Sequence, residues 1–324
     1  MFFTKISLKY FTIHRFFNAV KVLFGYVFSI LFRSPFNWGQ PIVLSIEPSS
    51  VCQLKCPECY TGTGLTKRET IFIDFELYKS IIDKVYKKTW IINLYFQGEA
   101  FLHKDIFQMI DYASKRNLMT VISTNGVAFD NETIDKLLKY PPSLLIFSID
   151  GISENSYEKY RKNASLEDVI FKLKNLSETV KIRNNRFPKL EIQTIVTQQN
   201  ENEIEQISNL AKECNANFRL KTLQIIGSED QNNLLPKNPK YRRYIKDLKP
   251  KKIKNSCRRL WTHLVVTCDG YIVPCCMDKN KKYSITKIDN KLGNNFWNIE
   301  NRKSFQQKVL KNKSQIDICQ NCGI

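Results

Sequence analysis

Six short apolar runs punctuate the chain, at residues 42–46, 91–97, 120–123, 144–149, 190–196 and 218–225, and each reads as a buried β-strand. Between them, residues 75–88, 103–116, 131–140, 166–180 and 202–214 carry the three-to-four-residue apolar period of an amphipathic helix. Strands separated by helices run parallel, and a parallel sheet needs helices over its face. Six units are too few to close an eight-fold barrel but are enough to curve into part of one. The expectation is an α/β chain built on a partial (β/α)6 TIM-like barrel, with its site at the C-terminal ends of the strands.

Composition agrees with a folded enzyme-sized chain. The 324 residues are 43% hydrophobic and 12% aromatic, which excludes wholesale disorder. The length excludes a disulfide miniprotein, and the lack of repeated long apolar runs excludes a polytopic membrane protein.

Ten cysteines against 3 histidines is the second constraint. Cys52, Cys56 and Cys59 form C-x3-C-x2-C just after the first strand, which ends in Glu47-Pro48-Ser49-Ser50. Cys257, Cys268, Cys275 and Cys276 fall within twenty residues, Cys319 and Cys322 form C-x2-C, and Cys214 stands alone. Close spacing in a chain without an export signal favours metal over disulfides. Three thiolates on one loop cannot close a tetrahedral zinc site without a distant fourth ligand. They can hold three irons of a [4Fe–4S] cluster and leave the fourth iron open.

Polar residues follow the other strands. Gly98-Glu99 ends the second, Thr124-Asn125-Gly126 the third and Ser148-Ile149-Asp150-Gly151 the fourth. In this order the motifs resemble those of the radical S-adenosylmethionine (SAM) enzymes over roughly residues 41–225. Cys52-x3-Cys56-x2-Cys59 followed by Tyr60 resembles the family's cluster loop. Gly98-Glu99-Ala100-Phe101-Leu102-His103 resembles its glycine–glutamate motif, with Gln97 in place of the usual first glycine and Ala100 in place of the usual proline. The resemblance implies that Gly98 and Glu99 receive the SAM amino group. It also implies that Thr124, Asn125, Ser148 and Asp150 lie near the rest of the cofactor. Ser148 and Asp150 read equally well as turn formers, and His103 as a packing or capping residue. The chemistry implied is reductive cleavage of SAM to a 5′-deoxyadenosyl radical, which takes a hydrogen from a substrate.

The C-terminal cysteines fit the same resemblance. Thr267-Cys268-Asp269-Gly270-Tyr271 reads as a tight hairpin turn that brings Cys257 and Cys275 together. With Cys319 and Cys322 the set resembles a SPASM or twitch extension, and Leu292-Gly293-Asn294 with Phe296-Trp297 resembles its bridging segment. One auxiliary [4Fe–4S] cluster ligated by Cys257, Cys275, Cys319 and Cys322 is expected. Zn²⁺ on the same four thiolates satisfies the spacing too. A closed cluster can accept or pass the electron that a substrate radical sheds during dehydrogenation. Cys276 is an alternative ligand to Cys275, whereas Cys214 and Cys268 read as small buried hydrophobes.

Charge is the remaining signal, +19 in total. Residues 1–46 carry five basic residues and no acid, and residues 241–259 carry nine basic residues against Asp247. Within the first segment, Asn18, Lys21, Gly25 and Ser29 share one helical face, and Phe16, Val20, Leu23, Val27 and Ile30 the other. An amphipathic helix is expected at 16–32, docked on the body or lying on a membrane surface. At 17 residues it is short for a lone span, which needs about 20, and no small-residue cleavage site marks it as a signal peptide.

The expected organisation is an N-terminal basic amphipathic helix at 1–40, a radical SAM partial barrel at 41–226 and a small auxiliary-cluster domain at 227–324. The expected function is a radical SAM oxidoreductase-type enzyme holding SAM and two [4Fe–4S] clusters. Its substrate is an unidentified small molecule or peptide, and local positive charge leaves room for a phosphorylated one. A segment this short before Pro41 lowers the expectation of a leader-peptide-recognition domain. No catalytic base is assignable; residues 226–256 and those around Asp278 are candidates by position alone. A low-potential donor such as flavodoxin or ferredoxin is implied, as is a reducing cytoplasmic location, peripheral at the inner membrane face if residues 1–40 touch lipid. The competing reading is a non-catalytic iron–sulfur or zinc module that binds RNA or membrane through its basic segments. Tyr241-Arg242-Arg243-Tyr244 is too short for a recognisable nucleic-acid reader, so no specific nucleic-acid binding is expected.

Overall fold

The computed structural model describes residues 8–227, 231–244, 253–288, 293 and 296–322. Lys5, Leu292, Asn294 and residues 245–252 of the basic stretch lie outside the described residues. Helix α1 (Ile13–Phe32) comes first. Strands β1 (Val43–Ile46), β2 (Ile91–Asn93), β3 (Met119–Thr124), β4 (Leu144–Ser148), β5 (Lys189–Val196) and β6 (Asn217–Thr222) then lie side by side in chain order, each parallel to the next. Helices α2 (Phe75–Val85), α3 (Ile106–Lys115), α4 (Asn131–Lys139), α5 (Glu154–Tyr160), α6 (Leu166–Ile182) and α7 (Ile204–Glu213) connect them. This is the partial barrel expected from the alternation. Only α5, too short for a clear apolar period, had no counterpart in the pattern. Capping sharpens the helix starts: Asp74 accepts from the Leu77 amide at 2.8 Å and Asp130 from Thr133 at 2.7 Å.

The sheet does not stop at six strands. Helix α8 (Arg259–Thr262) leads into β7 (His263–Val266), which pairs parallel to β1 on its free side. β8 (Tyr271–Val273) and β9 (Thr286–Lys287) continue antiparallel, giving the order β6-β5-β4-β3-β2-β1-β7-β8-β9. The expected hairpin is real: Thr267 donates to the Tyr271 carbonyl at 2.9 Å, and Gly270 takes the left-handed φ of +81° that the turn requires. Helices α9 (Glu300–Asn312) and α10 (Asp317–Gln320) complete the C-terminal part.

Alternation in the strands divides the interior. Leu44, Ile46, Ile92, Ile122, Leu145, Phe147 and Ile192 face the helices and form the main core. Met119, Val121, Leu144 and Ile146 face inward and pack with Tyr10, whose hydroxyl meets Ser143 Oγ at 2.7 Å. That plug fills the N-terminal end of the barrel, so polar inward positions gather at the other end.

One buried ion pair joins the parts. Glu47, at the end of β1, holds Arg68 through two contacts of 2.6 and 2.7 Å, with both side chains essentially inaccessible. The free geometry of the pair is spent across the chain. Arg68 Nε donates to the Lys279 carbonyl at 2.8 Å, and Glu47 accepts the Cys268 amide at 2.9 Å. Breaking a buried pair from one side strands a charge in a low-dielectric interior. Arg68→Met should therefore lower the unfolding free energy by about 3–5 kcal/mol. The apolar double variant Glu47→Leu/Arg68→Met should recover most of that loss. The urea midpoints of the two variants measure this, and an unshifted single variant would refute it.

Candidate active site

The C-terminal ends of β1 to β5 converge on a cavity of about 250 Å³. Cys52, Cys56 and Cys59 line it, together with Gly98, Glu99, Thr124, Asn125 and Ser148. Of the residues expected near the cofactor, only Asp150 is not on its wall. The loop that carries the cysteines is fastened to most of the strand ends. Glu99 donates its amide to the Val51 carbonyl at 2.7 Å, and Lys55 donates to Lys162 O at 3.1 Å. Asn125 Nδ2 reaches Cys52 Sγ at 3.7 Å, and Glu58 accepts the Ile226 amide at 2.5 Å beyond β6.

Gly98 shows why the motif needs glycine. Its φ is +66°, and a Cβ there would collide with the Ser49 carbonyl and lie 2.7 Å from Val51 O. The backbone of the second strand's end thus presses directly on the root of the cysteine loop.

Glu99 is 2% exposed. Its Oε1 accepts from Thr124 Oγ1 at 2.8 Å and from the Phe101 amide at 3.2 Å, while Oε2 accepts the Asn125 amide at 2.8 Å. Burial pushes its carboxyl up, against those hydrogen bonds. A carboxylate offers about four acceptor positions, so one on Oε2 is left for a cationic group in the cavity.

Asp150 lies beneath the cavity, fully buried, with both oxygens engaged. One accepts the Ile195 amide at 2.6 Å and the other accepts Arg161 Nε at 2.6 Å. Its place is that of a positioning residue, and the side chain it positions was not legible in the sequence. Arg161 lines the cavity and approaches Cys56 Sγ at 3.9 Å through Nη1. Burial opposes its charge, but Asp150 and Cys56 hold its pKa well above the ordinary value. Arg161 follows the short helix α5, and the only sequence signal for it was a buried acid in need of a partner. Lys279 was also missed: it enters the wall from beyond β8, with Nζ 4.6 Å from the centre of the Phe96 ring. His103 packs, with one ring nitrogen 2.8 Å from Ile73 O and the other accepting the Asp105 amide at 3.0 Å. Asp278 caps a turn, accepting the Lys282 and Tyr283 amides at 2.8 Å each.

The second thiol group lies in the C-terminal part. Cys257, Cys275 and Cys319 share one apolar cluster with Trp261 and Phe305. Cys257 feels Cys322, Cys319 feels Cys322 and Cys257, and Cys275 feels Cys276, Cys257 and Cys319. Burial pushes the Cys319 thiol up to about 12 and the Cys56 thiol up to about 11. Metal must displace those protons on binding. Lys313, 1% exposed, stands beside Cys257 and Cys319 and draws their pKa down against burial. Cys276 turns elsewhere, with Sγ 3.5 Å from Arg259 Nη1. Cys214 is buried in the main core, and Cys268 lies 3.9 Å from Arg68 Nη1. Among the described residues, no three His, Cys, Asp or Glu side chains are gathered as around a single metal ion.

Three thiols on one loop beside the buried Glu99, with further thiols in the C-terminal part, supply the kind of donors that iron–sulfur clusters take. The family comparison agrees. Residues 46–211 match the model of the radical SAM superfamily, and residues 257–323 match that of an iron–sulfur cluster-binding domain, SPASM. The chain belongs to the radical SAM superfamily and carries a SPASM domain.

Among curated proteins it is similar to the mycofactocin maturase MftC of Mycolicibacterium smegmatis, 28% identical over 188 residues, 58% of this chain and 46% of that protein. It is also similar to the AdoMet-dependent heme synthase of Methanosarcina barkeri, 26% identical over 176 residues, 54% of this chain and 48% of that protein. The chain thus spans under half the length of these relatives. Among solved structures, Streptococcus suis SuiB bound to precursor peptide SuiA superposes with a TM-score of 0.65 at 16% identity, over 92% of this chain and 72% of SuiB. That likeness concerns the fold.

The thiols are donors of the type that the family's clusters take. Cys52, Cys56 and Cys59 would hold the SAM-binding cluster, and Cys257, Cys275, Cys319 and Cys322 the auxiliary one. Gly98→Ala should reduce SAM binding and cleavage about tenfold or more, because left-handed strain and the collision together exceed about 1.4 kcal/mol. Isothermal titration with SAM would show it, and wild-type affinity would refute the close-approach argument. Lys313→Met should lower the reduction potential of the auxiliary cluster, since reduction adds negative charge. An EPR-monitored redox titration reads this, and an unchanged potential would mean the lysine does not act on the cluster.

Proposed function

We propose that this chain is a peptide-modifying radical SAM enzyme. Residues 41–226 carry the radical chemistry, 227–324 the auxiliary cluster, and 1–40 the placement of the enzyme. The observation that carries the reading is the convergence of Cys52, Cys56 and Cys59 with Gly98, Glu99 and Arg161 on one cavity. When bound there, the cluster and SAM supply a 5′-deoxyadenosyl radical that abstracts a substrate hydrogen. The protein's work is to orient and enclose. Glu99 offers its remaining acceptor position to the SAM ammonium, a charge-assisted hydrogen bond. Arg161, held by Asp150, has N–H groups to spare for the SAM carboxylate. Thr124 and Asn125 lock Glu99, and Ser148 offers a hydroxyl to the ribose.

The substrate side is the polar inner face of the half-barrel. The strand register sets Ser148 beside Gln193, Gln193 beside Arg219, and Ile195 beside Lys221. Partial desolvation and the neighbouring Arg219 and Arg259 push the Lys221 ammonium down, against Glu191. An acidic group of the substrate, carboxylate or phosphate, would relieve that repulsion. A peptide substrate is supported by the maturase relatives and by the fold shared with SuiB, solved with a precursor peptide. A flavodoxin or ferredoxin would supply the electron, and Cys257, Cys275, Cys319 and Cys322 would hold an auxiliary cluster able to accept one from the substrate side. Low-potential clusters favour a reducing, cytoplasmic location, and residues 1–40 would hold the enzyme at the inner membrane face.

Anaerobic reconstitution should give about eight irons per chain and 5′-deoxyadenosine on reduction with SAM. Changing Cys52, Cys56 and Cys59 to Ala should remove about four irons and all SAM cleavage. Peptides encoded beside this chain, deuterated and offered as substrates, should pass label to 5′-deoxyadenosine. Loss of SAM cleavage in the fully loaded wild type would overturn the enzyme reading. Zinc in the C-terminal thiols would overturn the auxiliary-cluster reading.

A further inference from the structure

Helix α1 is docked the wrong way round for a water-soluble protein. Its polar and small stripe faces the body. Arg15, 2% exposed, donates to four backbone carbonyls: Tyr10 at 2.8 Å, Asn117 at 2.6 Å, Tyr86 at 2.8 Å and Arg116 at 3.1 Å. Asn18 exchanges hydrogen bonds with Gln40, 2.9 Å out and 2.8 Å back. Gly25 lies so close to Phe36 that a Cβ would stand 2.6 Å from its carbonyl, and Ser29 Oγ accepts the Phe36 amide at 2.8 Å. Residues 15, 18, 22, 25 and 29 are buried, a single stripe at helical spacing.

The apolar stripe points away. Phe16, Leu23, Val27 and Leu31 follow one another at steps of seven and four residues and are exposed, Leu31 by 70%. Phe17 and Phe24 widen the stripe at 56% each. A helix normally buries such a face and wets the other. An unbroken apolar strip along about 30 Å of helix is a surface that requires a partner.

Two observations identify the partner. Apart from the buried Arg15, the described residues from 9 to 46 hold Lys9, Lys21 and Arg33 and no acid, so the charges that this segment exposes are all positive. Beside it runs a groove of about 520 Å³ lined by His14, Lys21 and Lys88 and by Phe17, Trp38 and Trp297. Lysines and the exposed Trp38 indole bordering an apolar strip match the level at which phospholipid headgroups meet acyl chains. The helix is long and apolar enough to cross a bilayer by length and composition. Its bonds from Arg15 and Asn18 to the barrel, however, hold it flat against the body.

We propose that α1 is an interfacial anchor: its outward stripe enters the headgroup–acyl boundary of a bilayer, and the Lys21–Lys88 groove takes an anionic phospholipid headgroup. The proposal rests on the peripheral placement given above and not on the radical chemistry, so vesicle binding and SAM cleavage succeed or fail separately.

The test is co-sedimentation of the anaerobically loaded full chain with vesicles of phosphatidylcholine alone or with one-quarter phosphatidylglycerol. Binding should be stronger on the anionic vesicles and weaken at high salt. Phe24→Ser/Val27→Ser/Leu31→Ser should weaken it about tenfold or more and leave SAM cleavage intact. Lys21→Glu/Lys88→Glu should abolish the preference for anionic lipid. A loaded monomer that binds neither vesicle overturns the proposal. So does a dimer, seen by light scattering, that the triple Ser variant splits, since a second copy would then cover the stripe. Resistance to alkaline extraction would overturn the interfacial geometry in favour of a span.

Discussion

The buried pair between Glu47 and Arg68 sets the relation between the two halves of the molecule. A carboxylate at the end of a central strand is costly to bury. Here it is repaid by a guanidinium from the cysteine loop's return segment, and the same two groups bind backbone at Cys268 and Lys279. The barrel, the loop that offers three thiols and the C-terminal hairpin therefore meet at one desolvated point. The apolar packing around it, with its many interchangeable contacts, could not fix the loop's angle so tightly. The cavity inherits its shape from that junction, because Lys279 reaches its wall from the same turn whose carbonyl Arg68 holds.

Electrostatics repeats this logic on a smaller scale. Each sulfur group is given one buried cation: Arg161 at Cys56 and Lys313 at Cys257 and Cys319. Thiolates and iron–sulfur centres carry net negative charge, and a low-dielectric surrounding magnifies it. A buried cation offsets that charge and favours loading. Only a few of the chain's many cations do such work. The rest decorate helices or lie along β6, where Arg219 is paired with Glu191.

Much of the fold could be read in advance because two periods, two and three-to-four, alternate cleanly along it. The six parallel strands, the cysteine loop, the Gly98-Glu99 turn and the Gly270 hairpin all rest on local rules of spacing and turn chemistry. What escaped was non-local. Arg161 carries no local mark, and its importance comes from Asp150, eleven residues earlier in the chain but met only through the folded turn. β7 looked like part of a separate domain, yet it pairs with β1 because the sheet's free edge there demands a neighbour. The amphipathicity of α1 was visible in the sequence, but its polarity was not. Which face turns inward depends on backbone carbonyls at Tyr86, Arg116 and Asn117 that no helix periodicity can show.

Among the described residues the sheet does not close: β6 and β9 are its two outer edges, and Tyr10 stoppers the barrel's floor. A sealed tube would admit a polymer only by its tip. A trough with a free edge on one flank would instead let a strand be laid in sideways, like cable into a duct. On the peptide reading proposed above, residues in the middle of a long chain would come to the reacting point without either terminus being threaded.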